Sequence, residues 1–292
     1  MAEAGTLLLC HDARTPWPIL EHSVTLILTS PPYWNVRDYS ASAQLGLEAT
    51  PEAYIESLAA VFDEAHRVLD HDGYLAIVIG DVYLGSGGME GCHVGAGAIE
   101  RRDATHLAAH PSISLSRRAV DPRTWRKRKQ LCLLPHRLAI ALQNRDWILR
   151  NDIIWAKKIL LPDGSTTGAC KPLSQRSRWE SAHEHILILQ KPSSGDCFHW
   201  HAVATTHGSC PPDAWQLLPA RNRYAHFAVY PEALCERLIR AYTVTGQRIL
   251  DPFCGSGTTL AVAHRLGRLA AGFDINPSYV ALTRTRLQEE SR

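Results

Sequence analysis

The sequence predicts an α/β protein with a mostly parallel sheet, and three observations predict it. Residues 24–28 and 74–79 are continuous apolar runs, as strands covered on both faces require. Between them, Ile55, Leu58, Val61, Phe62, Ala65, Val68 and Leu69 recur at helical spacing. Near the C-terminus, residues 248–250, a glycine-bearing loop, an apolar helix and a second strand ending at Asp274 form a β–loop–α–β–acid unit. Strands alternating with helices give a layered parallel architecture.

In chain order, residues 6–10 read as a short buried strand ending at His11-Asp12. The run at 24–28 ends on Thr29-Ser30-Pro31-Pro32, where two prolines turn the chain out of the sheet. Residues 51–69 read as a helix with Pro51 in its first turn. Residues 70–73 break the helix, and 74–79 is the next strand. From Gly85 to about Lys129 apolar periodicity is weak and glycines are frequent, which predicts a mobile excursion from the sheet. Residues 131–144 read as helix, 147–156 and 185–190 as strands, and 231–243 as an amphipathic helix. The segments 157–184 and 193–222 are polar or irregular. Strand 248–250, helix 260–266, strand 269–273 and helix 277–288 complete the chain, with no internal repeat.

The 292 residues suffice for one large domain, here 1–292, with 85–130, 157–182 and 193–224 as insertions. No run of 18 apolar residues and no basic leader is present, so neither a membrane span nor a signal peptide is expected, and the location read is cytoplasmic. The eight cysteines form no CxxC pair and read as free or buried thiols. His183-Glu184-His185 and His199-Trp200-His201 lack the i, i+4 spacing of a helical zinc site, and no metal is expected. Net charge is only +2, but residues 117–129 hold seven basic side chains against one acid. That run, with Arg126, Lys127 and Arg128, reads as a phosphate-contacting face or as a solvated loop.

Two motifs carry chemistry. Gly255 and Gly257 lie where a strand becomes a helix and let backbone approach a ligand closely. Nineteen residues after Gly255, Asp274 ends the next strand, placed for ribose hydroxyls. Neither GxGxxG nor a P-loop lysine is present, so NAD and ATP are less favoured than another adenosine-containing cofactor. In Ser30-Pro31-Pro32-Tyr33, the prolines donate no N–H, so the turn offers acceptors suited to a substrate amine. Tyr33 and Trp34 offer flat surface for a nucleobase. Taken alone, that turn is equally a stiff strand end with core aromatics.

The pair Thr29-Ser30-Pro31-Pro32-Tyr33-Trp34 and Asp251-Pro252-Phe253-Cys254-Gly255-Ser256-Gly257-Thr258, in that order, resembles the β-class amino-group DNA methyltransferases. Segments 56–80, 134–157, 183–191 and 226–231 match further parts of that family, so the resemblance covers nearly the whole chain. It implies a Rossmann-like class I methyltransferase fold. The sheet would have seven strands, one of them an antiparallel hairpin strand, with the catalytic motif preceding the cofactor motif. It implies S-adenosylmethionine as cofactor, with Asp12 near its adenine, Asp274 at its ribose, and Phe227, Asp251 and the loop Phe253, Cys254, Gly255, Ser256, Gly257 and Thr258 around it. The substrate implied is double-stranded DNA, with the target base flipped out of the stack.

The Ser30 hydroxyl and the Pro31 carbonyl would accept the hydrogens of an exocyclic amine, and Tyr33 would stack on the base. Trp34 is read as a pocket wall or a core residue. Arg37 and Lys157 are candidate DNA contacts, Lys157 equally a strand cap. Within the family Ser at position 30 goes mainly with N4 of cytosine, and Asp there with N6 of adenine. Cytosine N4 is therefore the expected target, with adenine N6, an inactive DNA-binding protein and an RNA substrate as alternatives. A cognate restriction endonuclease and the choice between monomer and dimer stay open.

Overall fold

The computed structural model describes residues 6–36, 44–85, 119–168, 178–192, 195–219 and 230–290. Strand β1 is Thr6–Cys10, and β2 is Val24–Thr29. Helix α1, Pro51–Val68, runs straight into β3, Leu69–Ile79. Helix α2, Leu134–Gln143, leads to β4, Ile148–Ala156. A small hairpin follows, β5 (Lys158–Leu160) with β6 (Thr166–Gly168), and then β7, His183–Gln190. Next come β8 (Ala214–Gln216), α3 (Glu232–Tyr242) and β9 (Arg248–Asp251). Helix α4 (Thr258–Arg265), β10 (Leu269–Asp274) and α5 (Pro277–Glu290) complete the set.

One sheet has the order β1-β10-β9-β2-β3-β7-β4-β8. Strand β7 runs antiparallel to both neighbours, β3 and β4, and every other pairing in the sheet is parallel. The single reversed strand agrees with the sequence reading, but among the described residues the sheet has eight strands rather than seven. The additional one, β8, lies in the stretch read as irregular. Three residues are too few to show a period, and its place comes from tertiary contacts. Trp215 pairs with Trp155, and the Trp155 indole donates to the Leu217 carbonyl at 2.7 Å.

Helices cover both faces, as a parallel sheet requires. Helices α1 and α2 pack with Ile27, Leu75, Ile77, Leu187 and Leu189. On the other face, α3 and α4 pack with Leu26, Leu28, Ile186 and Ile188. Alternate residues of β2 and β7 thus enter opposite cores, as the two-residue period of a strand dictates.

Helix α1 starts where the sequence placed it. The Thr50 hydroxyl accepts from the Ala53 N–H at 3.2 Å, and Pro51 follows in the first turn. Residues 70–73 belong to β3 rather than to a separate break. The ladder passes from Val24↔Leu69 to Leu26↔Tyr74, so the extra residues on β3 bulge out. Helix α2 begins three residues later than its apolar pattern suggests. Leu131 bridges to Tyr83 and the Cys132 N–H bonds the Val82 carbonyl, which holds that stretch extended. The Asp81 carboxylate then accepts from the Leu134 N–H at 3.1 Å, capping the helix from a distant segment.

A candidate methyl-transfer site at the carboxyl edge of the sheet

The two sequence motifs lie far apart in the chain and meet because β2 and β9 are parallel neighbours. Leu26 pairs with Ile249 and Ile27 with Leu250. Both strands therefore end at the same edge, where parallel α/β sheets hold their ligands. Thr29 and Asp251 join the two ends: the Thr29 hydroxyl donates to Asp251 Oδ1 at 2.6 Å across 222 residues of sequence.

Asp251 is 1% exposed and is the hub of this junction. Its Oδ1 also accepts from the Phe253 N–H at 3.1 Å, and its Oδ2 from the Tyr230 and Thr259 hydroxyls at 3.1 and 2.7 Å. Burial pushes its carboxyl upward, opposed first by the bond from Thr29. The carboxylate listens to the protein on all sides, so its contribution to a cofactor site is to fix the loop.

The glycine loop is held from behind by α5. The Thr283 hydroxyl donates to the Gly255 carbonyl at 2.7 Å. Arg286 donates to the Thr258 hydroxyl at 2.9 Å and to the Ser256 carbonyl at 3.4 Å. Arg286 is itself buried and paired with Glu232 at 2.6 Å. Gly257 has φ +76, and a Cβ there would lie 2.5 Å from Thr283 Cγ2, so both conformation and space demand glycine. Ser256 and Thr258 are buried, and Thr258 uses its hydroxyl internally, so the backbone of this loop rather than these side chains suits a ligand. Cys254 is buried and its thiol is pushed well up by burial, which makes it a poor nucleophile. Phe253 stays partly exposed.

Asp274 closes the loop on its far side. Its carboxylate accepts from the Gly255 N–H at 3.0 Å and the Asn276 N–H at 2.8 Å. Burial raises its carboxyl to about 6, against the pull of those two bonds. Strand β1 pairs with β10 in register Cys10↔Asp274, which brings Asp12 to the same edge. Asp12 is held low by its hydrogen bonds to Arg14, the closest at 2.6 Å.

The Ser30–Tyr33 turn is secured by side chains from other elements. The Tyr54 hydroxyl of α1 donates to the Pro32 carbonyl at 2.9 Å. Tyr33 donates its hydroxyl to Glu184 Oε2 at 2.8 Å, and the Ser30 hydroxyl lies 3.4 Å from the Tyr33 oxygen. Lys157 pairs with the other oxygen of Glu184. A Cβ on Gly80 would stand 3.0 Å from Tyr33 Cε2, so glycine there leaves room for the ring.

Lys157, placed by sequence as a phosphate contact or a cap, is thus part of the Tyr33 support. Glu184 was visible only as the middle of a His-Glu-His triplet. Strand alternation sends it toward Tyr33 and its histidine neighbours the other way.

Two expected contacts, Trp34 and Arg126, are revised. Trp34 has no exposed surface and donates its indole N–H to the Glu48 carbonyl at 2.9 Å, so it is a core residue and not a base-contacting wall. An aromatic next to a proline turn has the same sequence signature in either role. Arg126 faces Asp121 and Glu52 at 3.8 and 3.9 Å, which offsets much of its charge. Lys127 and Arg128 remain exposed. Arg37 and Phe227 lie outside the described residues, as do parts of the three candidate insertions. The described cysteines are all free.

A glycine loop and a terminal acid on two parallel strands thus lie beside a proline turn on a third, at one edge of the sheet. Comparison with known proteins goes further. The DNA methylase family of N6 and N4 amino-methyltransferases matches residues 24–285, and the chain belongs to that family. It is 35% identical over 272 residues to the Type II methyltransferase M.Cfr9I of Citrobacter freundii, covering 92% of this chain and 82% of that protein. It is 34% identical over 283 residues to M.SmaI of Serratia marcescens, covering 94% and 88%.

Among solved structures, the cytosine-N4-specific PvuII DNA methyltransferase shares the fold, with a TM-score of 0.69 and 18% identity over 99% of this chain and 90% of that one. A putative DNA modification methylase of Thermus thermophilus, complexed with S-adenosyl-L-methionine, gives a TM-score of 0.64 and 25% identity over 98% and 94%. No helix among the described residues is long and apolar enough to cross a membrane.

Proposed function

We propose that the chain transfers the methyl group of S-adenosylmethionine to N4 of a cytosine flipped out of double-stranded DNA. The observation that carries this reading is the adjacency of the Ser30–Tyr33 turn and the Gly255–Asp274 unit, joined through Thr29 and Asp251. The residues at the edge fit the cofactor. Asp274 offers a carboxylate at a strand end for a ribose diol, the glycine loop offers backbone, and Phe253 offers partly exposed apolar surface. Asp12 is the candidate for the adenine side, and Phe227 for the methionine side. When bound, S-adenosylmethionine supplies an electrophilic methyl group.

The chain's own residues would do the rest. An exocyclic amine is a poor nucleophile because its lone pair is delocalised into the ring. The Ser30 hydroxyl and the Pro31 carbonyl accept its two hydrogens and so localise that pair on nitrogen. Tyr33 stacks on the flipped base, held in orientation by Glu184 and Lys157. Base stacking of this kind contributes roughly 1–3 kcal/mol. Attack then depends chiefly on alignment, with no covalent enzyme intermediate. Ser30, rather than Asp, supports cytosine N4 over adenine N6.

Lys127 and Arg128 are proposed phosphate contacts, and segments 85–130, 157–182 and 193–224 are the proposed readers of sequence. A cognate restriction endonuclease is the biological partner this reading implies. The test is transfer of radiolabelled methyl from S-adenosylmethionine to plasmid DNA. Incorporation that Ser30→Ala reduces supports the reading, and no incorporation by the wild-type chain leaves a DNA-binding protein of the same fold.

A further inference from the structure

The face of β7 opposite Glu184 gathers a second set of chemically active side chains. His185 on β7, Asp152 on β4 and His136 on α2 each offer a ligand atom, and these atoms lie within 4.8 Å of one another. His185 is 9% exposed in its side chain and meets both carboxylate oxygens of Asp152, at 2.9 and 3.1 Å. The His136 ring stands edge-on to His185 with centroids 5.0 Å apart. His183, two residues along the same strand face, brings a third imidazole 5.3 Å from His185.

The geometry points to a binding site for a first-row transition-metal dication of the zinc class, with His136, Asp152 and His185 as ligands. Two imidazoles and a carboxylate are the donor set that such ions prefer over magnesium or calcium, which take oxygen ligands. A tetrahedral ion with ligands at about 2.0–2.1 Å sets donor atoms about 3.3 Å apart. The Asp152–His185 pair, now hydrogen-bonded at 2.9 and 3.1 Å, needs to open by only a few tenths of an ångström to reach that spacing. His136 lies on the exposed side of α2, with its ligand atom already within 4.8 Å of the other two.

The spacing rule applied to the sequence could not find this group, because its members come from one helix and two strands. An ion here would clip α2, β4 and β7 together. Strand β7 carries Glu184 between the two histidines, so the clip would also steady the residue that holds Tyr33.

The test is calorimetric titration of Zn²⁺ into the full chain, with thermal unfolding followed in parallel. The expected result is one ion per chain and a raised Tm. His136→Ala should weaken binding by more than about tenfold, the loss seen on removing even an outer-shell partner, and should abolish the Tm rise. His136 is exposed, so this variant should fold, and Asp152→Asn provides a second reading of the same site. His207→Ala, on an exposed histidine elsewhere, should bind as the wild type does. The proposal is overturned if the wild-type chain binds no stoichiometric zinc. It is equally overturned if neither His136→Ala nor Asp152→Asn weakens binding, or if His207→Ala weakens it as much.

Discussion

The glycine loop and the Ser30–Tyr33 turn sit on neighbouring strands, yet they are held in opposite ways. The loop is secured mostly by its own end of the chain: Thr283 and Arg286 bind its carbonyl side and Asp274 its Gly255 N–H. The turn is held by Tyr54 of the following helix at the Pro32 carbonyl and, from across the sequence, by Glu184 at the Tyr33 hydroxyl and Asp251 at Thr29. The glycine loop itself is thus held largely within one β–α–β–α unit, with Asp12 brought alongside by β1. A pocket for the reacting base needs the whole sheet assembled. Asp251 is the point where the two arrangements touch.

Removing that point should have the largest effect. Asp251→Ala leaves the buried Thr29 hydroxyl and the Phe253 N–H without this acceptor, while the Thr259 and Tyr230 hydroxyls keep each other and Thr259 keeps the Leu28 carbonyl. Each buried group left unpaired costs about 1–3 kcal/mol, so urea unfolding should show a loss of at least about 2 kcal/mol. A loss below about 1 kcal/mol would mean that the strand ends are joined by something other than this hub.

Next comes the turn alone. Tyr33→Ala should reduce methyl transfer by at least about tenfold, as loss of a stacking surface implies, while leaving cofactor affinity nearly unchanged. Tyr33→Phe keeps the ring and loses the hydroxyl's bonds to Glu184 and Ser30, so its loss of transfer should be smaller. Equal losses in both variants would shift the weight from stacking to the hydroxyl. Normal turnover in Tyr33→Ala would remove Tyr33 from the pocket altogether.

The loop should answer to pH. Asp274 titrates at about 6, so cofactor affinity should fall as pH drops through that value and the acceptor is protonated. Asp274→Asn should bind more weakly and lose this pH dependence, as titration calorimetry across pH 5–8 would record. The stability contribution of this group has the other sign. Its folded-state value lies above the ordinary 3.8, so its buried charge costs stability at neutral pH. That cost is relieved as pH falls through about 6. Unchanged affinity in Asp274→Asn would refute its place at the ribose.

The smallest effect concerns the basic segment. Reversing Lys127 and Arg128 together should lower DNA affinity and shallow its salt dependence by up to about 0.9 in logarithmic slope per lost phosphate contact. Reversing Arg126 should do less to DNA binding, because Asp121 and Glu52 already face it. An unaltered slope for the exposed pair would make the run ordinary surface.

Much of this was legible in the sequence for a physical reason. Strands covered on both faces write continuous apolar runs, and helices between them write a 3.6-residue period, so the core strands and α1 were readable to within a residue or two, save the start of β3, whose polar residues 70–73 hid five residues of strand. Strand β8 was not, because three residues carry no period and its pairing depends on Trp155. Ser30, Tyr33, Gly257 and Asp274 stood out in the sequence as candidates because of where they sit, at a proline turn, a close approach or a strand end. Glu184, Thr283 and Arg286 were not, since a carboxylate or guanidinium on a strand or helix carries no sign of what it will face. Trp34 shows the same limit in reverse: a tryptophan beside a proline turn fits a base pocket and a core equally well, and only its burial decides.

The most direct test of the central claim is nucleoside mass spectrometry of DNA methylated by the purified chain with S-adenosylmethionine. N4-methyldeoxycytidine is the expected product, and it should be lost in Ser30→Ala. N6-methyldeoxyadenosine in its place would contradict the reading of Ser30, and the absence of any methylated nucleoside would contradict the assignment of the site itself.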